Sequence, residues 1–201
     1  MYDDEFELTF DLSDEDEASR APAPEQEPVQ EAAPEPAAET EPPVEAVPEP
    51  AVPAANGRCV LISGGDRGIG AAAARAFWQA GYRVAVLYHT HAEAAAALEK
   101  ALPGLLAVQC DVASRASCEV AFHTVEQAVG HVDVLVSNAG IAQQKLFTDI
   151  TPEEWQHMLD VNLSGAFHLC QLALPGMIRR KAGRILTVSS MWGQTGGSCE
   201  V

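Results

Sequence analysis

An α/β fold built on a doubly wound parallel sheet is what this sequence predicts, and three observations predict it. Short apolar runs of strand length alternate with helical segments of ten or more residues, the pattern of βαβ units. A glycine cluster stands between the first apolar run and the first helix. Both features begin only after residue 55, where the composition changes abruptly.

The stretch before that boundary is a different kind of polymer. Of 29 acidic and 12 basic residues in the 201-residue chain, residues 1–55 hold 17 acidic residues and a single basic one, Arg20. Ten of the 13 prolines also lie there, so the formal net charge of -17 belongs almost entirely to this segment. Residues 21–55 repeat Glu, Pro, Ala and Val without a helical or strand period. Proline removes backbone donors, like charges repel, and too little apolar surface is present to offset chain entropy. The expectation is a disordered acidic tail, residues 1–55, in front of one domain, residues 56–201. Within residues 1–20, Tyr2, Phe6, Leu8, Phe10 and Leu12 sit among carboxylates. They read either as a short docking motif or as incidental residues of a solubilising tail, and the second reading is favoured.

Composition also excludes functions. There is no basic stripe to meet nucleic-acid phosphates, and no run of about 18 apolar residues to span a membrane. The acidic start is unlike a secretory signal. Five scattered cysteines form neither a disulfide framework nor a metal site, so a reducing cytoplasm is the expected location.

The elements follow in order. Residues 58–63 (RCVLIS) form the first strand, and residues 69–80, rich in Ala and stopped by Gly81, the first helix. Strand 83–88 precedes helix 92–102, which Pro103-Gly104 ends. Strand 105–109 precedes helix 114–129, capped by Ser114 and stopped by Gly130. Strand 132–137 comes next. Thr151-Pro152-Glu153-Glu154 combines an N-cap Thr, Pro at the first helical position and Glu at the third. The helix it opens can run to about residue 181, and residues 184–189 make the fifth strand. The strands are near-continuous apolar runs, as a sheet covered on both faces requires. Right-handed crossovers then give the order 3-2-1-4-5.

The turn after the first strand reads Ser63-Gly64-Gly65-Asp66-Arg67-Gly68-Ile69-Gly70. Gly64 permits a tight turn, Gly68 lets the backbone approach a pyrophosphate, and Gly70 allows close packing of the helix. The helix N-terminus offers free N–H groups and a positive dipole end to phosphates. A dinucleotide site is favoured over a merely structural glycine turn because strand and helix flank the loop directly.

The G-x-x-x-G-x-G spacing of this loop resembles the short-chain dehydrogenase/reductase family, whose fold is Rossmann-like. Further motifs carry the same likeness over residues 57–201. Cys110-Asp111-Val112 follows the third strand, where the resemblance implies that Asp111 and Val112 contact adenine; Asp111 as a plain helix cap is the alternative. Ser137-Asn138-Ala139-Gly140 follows the fourth strand. Asn138, Ala139 and Gly140 are implied at the cofactor, with Asn138 also tying neighbouring strands. Asp160-Val161-Asn162-Leu163 is similar to the family's active-site Asn segment, and Val188-Ser189-Ser190-Met191-Trp192-Gly193 to its catalytic Ser segment, in the register of Ser190. Asn in a helix interior is locally unfavourable, which itself points to a site.

Cofactor type follows from charge. A carboxylate ending the second strand would hydrogen-bond the ribose of NAD and repel the extra phosphate of NADP. Here the stretch is Leu87-Tyr88-His89-Thr90, and Arg67 stands ready to pair with a phosphate. NADP(H) is therefore favoured over NAD(H), with Tyr88 in the site. His89 and His91 read either as neighbours of the cofactor ribose or as surface-loop residues, and the second reading is favoured. No metal is expected.

The resemblance implies carbonyl reduction to an alcohol. Ser190 would hydrogen-bond the reacting oxygen, Asn162 would hold a proton-relaying water, and a Tyr-x-x-x-Lys pair would supply the proton. That pair is absent from the sequence, and in the family register its Tyr falls just beyond Val201. The expectation is a chain truncated at its C-terminus and inactive alone. Its full-length form would be a homo-oligomer, and Phe167, Leu169, Leu172 and Leu174 are expected to be partly uncovered here. The closing stretch, residues 189–201, is similar to elongation factor P 5-aminopentanone reductases, with 3-oxoacyl-acyl-carrier-protein reductases as the nearest alternative. A non-catalytic nucleotide-binding or interaction protein with an acidic tail is the competing reading.

Overall fold

The computed structural model describes residues 54–191 and Gly193. The acidic segment up to residue 53, Trp192 and residues 194–201 lie outside the described residues, and with them the expectations of a disordered tail and of the distinctive C-terminal stretch.

Five parallel strands form one sheet in the order β3-β2-β1-β4-β5. They are β1 (Cys59–Ser63), β2 (Arg83–Tyr88), β3 (Leu106–Gln109), β4 (Val132–Ser137) and β5 (Arg184–Thr187). Helices α1 (Gly68–Gln79), α2 (Ala92–Ala101) and α3 (Arg115–Val129) alternate with the first four strands. A short 3₁₀ turn at Phe147–Asp149, helix α4 (Pro152–Leu159) and helix α5 (Gly165–Arg180) connect β4 to β5. The strand order is the one that right-handed crossovers demand.

Strand periodicity distributes the core. Alternate residues point to opposite faces, and β1 is buried throughout. Cys59 and Leu61 face one side, where Phe122 and Val125 of α3 and Leu169 and Met177 of α5 cover them. Val60 and Ile62 face the other, beneath Ala74 and Trp78 of α1 and Leu98 of α2. Burial pushes the Cys59 thiol up to about 12, despite the opposing pull of Arg83.

Local devices close the connections. Ser114 accepts from the Ser117 N–H and caps α3. Thr151 and Glu154 form a reciprocal capping box at α4, and the ammonium of Lys145 lies 2.8 Å from Glu154 Oε2. That hydrogen bond holds the Glu154 carboxyl below the usual range. On edge strand β3 the Ala107 N–H is taken by Glu99 Oε1 at 2.8 Å, which satisfies a donor the edge would otherwise leave open.

The helix expected from residue 152 to about 181 is found, running to Arg180 with a π-helical turn, Asp160–Ser164, inside it between α4 and α5. The cause of that turn is tertiary, since Asn162 is drawn into bonds with a distant loop. Leu169, expected to be partly uncovered, is fully buried, because α5 turns that face onto β4 and α3. Phe167, Leu174 and Ile178 remain exposed, at 58, 41 and 68%.

Leu135 lies in the middle of β4 with no exposure. Leu135→Ala should destabilise the domain by about 2–5 kcal/mol, measured as a shift in the denaturant midpoint. A change below about 1 kcal/mol would contradict this packing.

Candidate functional site

The C-terminal ends of the parallel strands converge on a cavity of about 400 Å³. Ligands of doubly wound folds bind at this edge, where the strand order reverses between β1 and β4. Its first wall is the loop from β1 to α1. Gly64 and Gly68 adopt φ of +60° and +53°, a left-handed conformation that glycine enters without strain. Gly64, Asp66, Arg67, Gly68 and Ile69 all line the cavity.

Asn138 holds this loop in place. Its Nδ2 donates to the carbonyls of Ser63 at 3.0 Å and Gly64 at 2.9 Å. A Cβ on Gly70 would come within 2.1 Å of the Gly64 carbonyl oxygen and 2.7 Å of Asn138 Nδ2. Ser63 is fully buried and answers from β1: its Oγ accepts the N–H groups of Asn138 and Ala139, both at 3.0 Å. Ser63 and Gly70 thus shape the cavity from behind without lining it.

The second wall comes from β2, β3 and the following loops. Tyr88 ends β2, with His89, Thr90 and His91 beyond it, and all four line the cavity. Asp111 and Val112 line it next to Cys110. Asp111 Oδ1 accepts from Ala113 N–H at 3.0 Å, and the cap of α3 is Ser114 instead. Asn138, Ala139, Gly140 and Ile141 close the third side.

Asn162 lies next to this third side. Its Oδ1 accepts from the Ile141 N–H at 2.8 Å and its Nδ2 donates to the Ile141 carbonyl at 3.0 Å. One side chain therefore pairs with both backbone groups of a residue 21 positions earlier, and the helix opens into a π turn around it, as such turns often do at functional sites. Ser190 follows β5, which pairs in parallel with β4 up to the Ser137–Thr187 partners. It thus emerges at the same edge of the sheet as Asn138. The Trp192 and 194–201 portion of the C-terminal likeness cannot be placed beside it, since it lies outside the described residues.

Several cavity residues were not expected from sequence. His157 and Val161 line it from α4 and the π turn. Gly165 was missed as well; a Cβ there would meet Val112 Cγ2 at 2.9 Å, so its absence lets α5 seat against the loop carrying Asp111. His91, read from sequence as a surface-loop residue with a place beside the cofactor as the alternative, lines the cavity. It is 46% exposed, but Arg67 Nη1 lies 3.0 Å from its Nε2 and Asp66 Oδ2 lies 3.6 Å from its Nδ1. Asp66 also brings a carboxylate into a region where the end of β2 has none. Among the described residues there is no cluster of three metal-ligating side chains and no helix long and apolar enough to cross a membrane.

This fold and glycine loop agree with the comparisons. The family model for short chain dehydrogenases matches residues 58–201, and the chain belongs to that family. Acetoacetyl-CoA reductase from Shinella zoogloeoides is 40% identical over 139 residues, covering 69% of this chain and 57% of the relative. The 3-oxoacyl-[acyl-carrier-protein] reductase MabA of Mycobacterium avium is 40% identical over 144 residues, covering 70% and 53%. The crystal structure of gox2181 superposes with a TM-score of 0.64 at 32% identity, covering 68% of this chain and 55% of that one. The chain spans just over half the length of the curated relatives it matches.

The Gly70 contact gives a direct test. Gly70→Ala forces a methyl group against backbone, so it should cost about 1–3 kcal/mol, read by thermal unfolding. A variant as stable as the parent would show that the loop is not held against Asn138.

Proposed function

We propose that this chain is the nucleotide-binding part of an NADP(H)-dependent reductase that converts a carbonyl to an alcohol. The observation that carries the reading is the cavity wall itself: Arg67 on the glycine loop faces a β2 end, Leu87-Tyr88-His89-Thr90, that offers no carboxylate. The geometry suits a dinucleotide. The Gly64–Gly70 loop and the N-terminus of α1 would hold the pyrophosphate, Asp111 and Val112 the adenine, and Asn138, Ala139 and Gly140 the stretch towards the nicotinamide. When bound, the cofactor supplies the hydride.

The chain's own residues then have defined tasks. Ser190 would donate a hydrogen bond to the carbonyl oxygen and orient it. Asn162 fixes the backbone of Ile141 and would hold a water for proton relay. The Tyr-x-x-x-Lys pair of the resemblance is not among these 201 residues, so turnover is proposed for the whole protein and binding for this chain, which alone should be inactive. The names of the relatives favour a 3-oxoacyl thioester as substrate; the 5-aminopentanone group of modified elongation factor P rests on the C-terminal likeness alone. A homo-oligomer formed over Phe167, Leu174 and Ile178, and a cytoplasmic location suited to the free thiols of Cys59, Cys110 and Cys118, belong to the same reading.

Fluorescence titration of the chain should give NADPH binding about tenfold or more tighter than NADH, a difference of about 1.4 kcal/mol. Arg67→Ala should remove most of that gap. Equal or tighter NADH binding would refute the cofactor assignment. In the whole protein, Ser190→Ala should lower kcat for NADPH-driven reduction of acetoacetyl-CoA by about 10²-fold while NADPH binding persists; an unchanged kcat would remove Ser190 from the chemistry.

A further inference from the structure

Two cysteines meet behind the wall that β3 contributes to the cavity. Cys110 follows β3, Cys118 lies in the first turn of α3, and their sulfurs stand 4.0 Å apart. Both are free thiols and both are buried. They differ in access. Cys110 lines the cavity, whereas Cys118 is packed into the core with Ala121, Phe122 and Val125 of the same helix. The Ser117 hydroxyl donates to Cys110 Sγ at 3.7 Å and accepts the Asp111 N–H at 3.0 Å. The sulfur pair is thereby linked to the next residue of the cavity wall.

The two thiols are set for different parts in an oxidation. Its hydrogen bond with Cys118 holds the Cys110 thiol below the usual cysteine range, against burial and with the help of the Ser117 hydroxyl. The same bond and burial push the Cys118 thiol up. A small peroxide that enters the cavity therefore meets the more reactive sulfur first. The Cys110 sulfur attacks a peroxide oxygen and the O–O bond breaks. The leaving hydroxide takes the thiol proton as water, and a sulfenic acid remains. The Cys118 sulfur then attacks the Cys110 sulfur, the S–O bond breaks, and hydroxide leaves with the Cys118 proton as a second water. The two thiols have given two electrons to the peroxide, and a dithiol returns them by exchange.

We propose that Cys110 and Cys118 form a reversible disulfide, made by peroxide and undone by thiols, that weakens nucleotide binding by displacing the Cys110–Val112 segment. The effect on binding rests on the proposed cofactor reading; the disulfide itself does not. The direction of the movement follows from packing. A disulfide is about 2.05 Å long, so the sulfurs must close by about 2 Å. Cys118 is held in the core, where α3 packs with Leu169, Ala173 and Met177 of α5. Cys110 belongs to a connection, tied back by its N–H to the Tyr88 carbonyl at 2.8 Å. The connection yields and the helix does not. Cys110 Sγ is drawn from Ser117, whose hydroxyl also holds the Asp111 N–H, and Asp111 and Val112 line the cavity.

The coupling runs in both directions, as linkage requires. A nucleotide in the cavity covers the path to Cys110 and favours the reduced position of the segment, so it protects the thiols. Loss of nucleotide exposes them. A bond of this kind suits a reducing compartment, where disulfides are transient and regulatory instead of structural.

Peptide mapping of the 201-residue chain after exposure to hydrogen peroxide, with remaining thiols alkylated and the chain digested unfolded and unreduced, tests the bond. Trypsin cuts after Lys100, Arg115 and Lys145, so the expected product is peptide 101–115 joined to peptide 116–145, absent after dithiothreitol. Once the peroxide is removed, the oxidised chain should bind NADPH about tenfold more weakly than the reduced chain. NADPH present during the exposure should slow the linkage. In Cys118→Ala the link should be absent, and Cys110 should advance to the sulfinic acid, which dithiothreitol does not reverse. In the parent chain, Cys110 recovered unoxidised, as a sulfinic acid, or joined to a cysteine other than Cys118 overturns the disulfide. A Cys110–Cys118 link that leaves NADPH affinity unchanged overturns its effect on the site and leaves the cofactor reading standing. Binding of NADPH by neither form overturns the cofactor reading and the coupling together, while the mapped peptides still decide the disulfide.

Discussion

The contact on which the site depends is the approach of the Gly64 carbonyl to residue 70. A Cβ on that residue would lie 2.1 Å from the carbonyl oxygen, so the turn closes only around hydrogen. The same carbonyl accepts from Asn138 Nδ2, which comes from the end of β4. Asn138 in turn is fixed through its N–H by the buried hydroxyl of Ser63. The three residues form a closed circuit between β1 and β4, the two parallel strands between which the strand order reverses. That circuit ties the start of the loop before α1 to the end of β4.

Packing keeps the circuit rigid. Both faces of β1 are covered, one by α1 and α2 and the other by α3 and α5. Dense burial on both sides leaves the strand no freedom to slide, since a shift of one residue would exchange its two faces. The polar groups at its end therefore keep their register with β4. The domain thus separates an apolar core, which supplies stability, from a polar rim at the strand ends, which supplies chemistry.

Long-range pairing also accounts for the π turn between α4 and α5. Asn162 bonds both backbone groups of Ile141, and Gly165 seats the next helix against Val112. The π turn Asp160–Ser164 accommodates both at once. A polar side chain that local propensity disfavours in a helix here pairs with the backbone of a distant loop.

The fold class, the strand order, the glycine loop, the Ser114 cap and the Thr151–Glu154 capping box were all legible in the sequence. Each depends on period or on residues within one or two turns of each other. What tertiary structure alone decided are the relations between distant segments: the π turn around Asn162, the burial of Leu169, the retreat of Ser63 and Gly70 behind the cavity, and the meeting of Asp66, Arg67 and His91. His91 shows the reason most plainly. Its sequence neighbours mark it as an exposed loop residue, and its pairing with Arg67 at a separation of 24 residues arises only because β1 and β2 lie side by side and bring their terminal loops together.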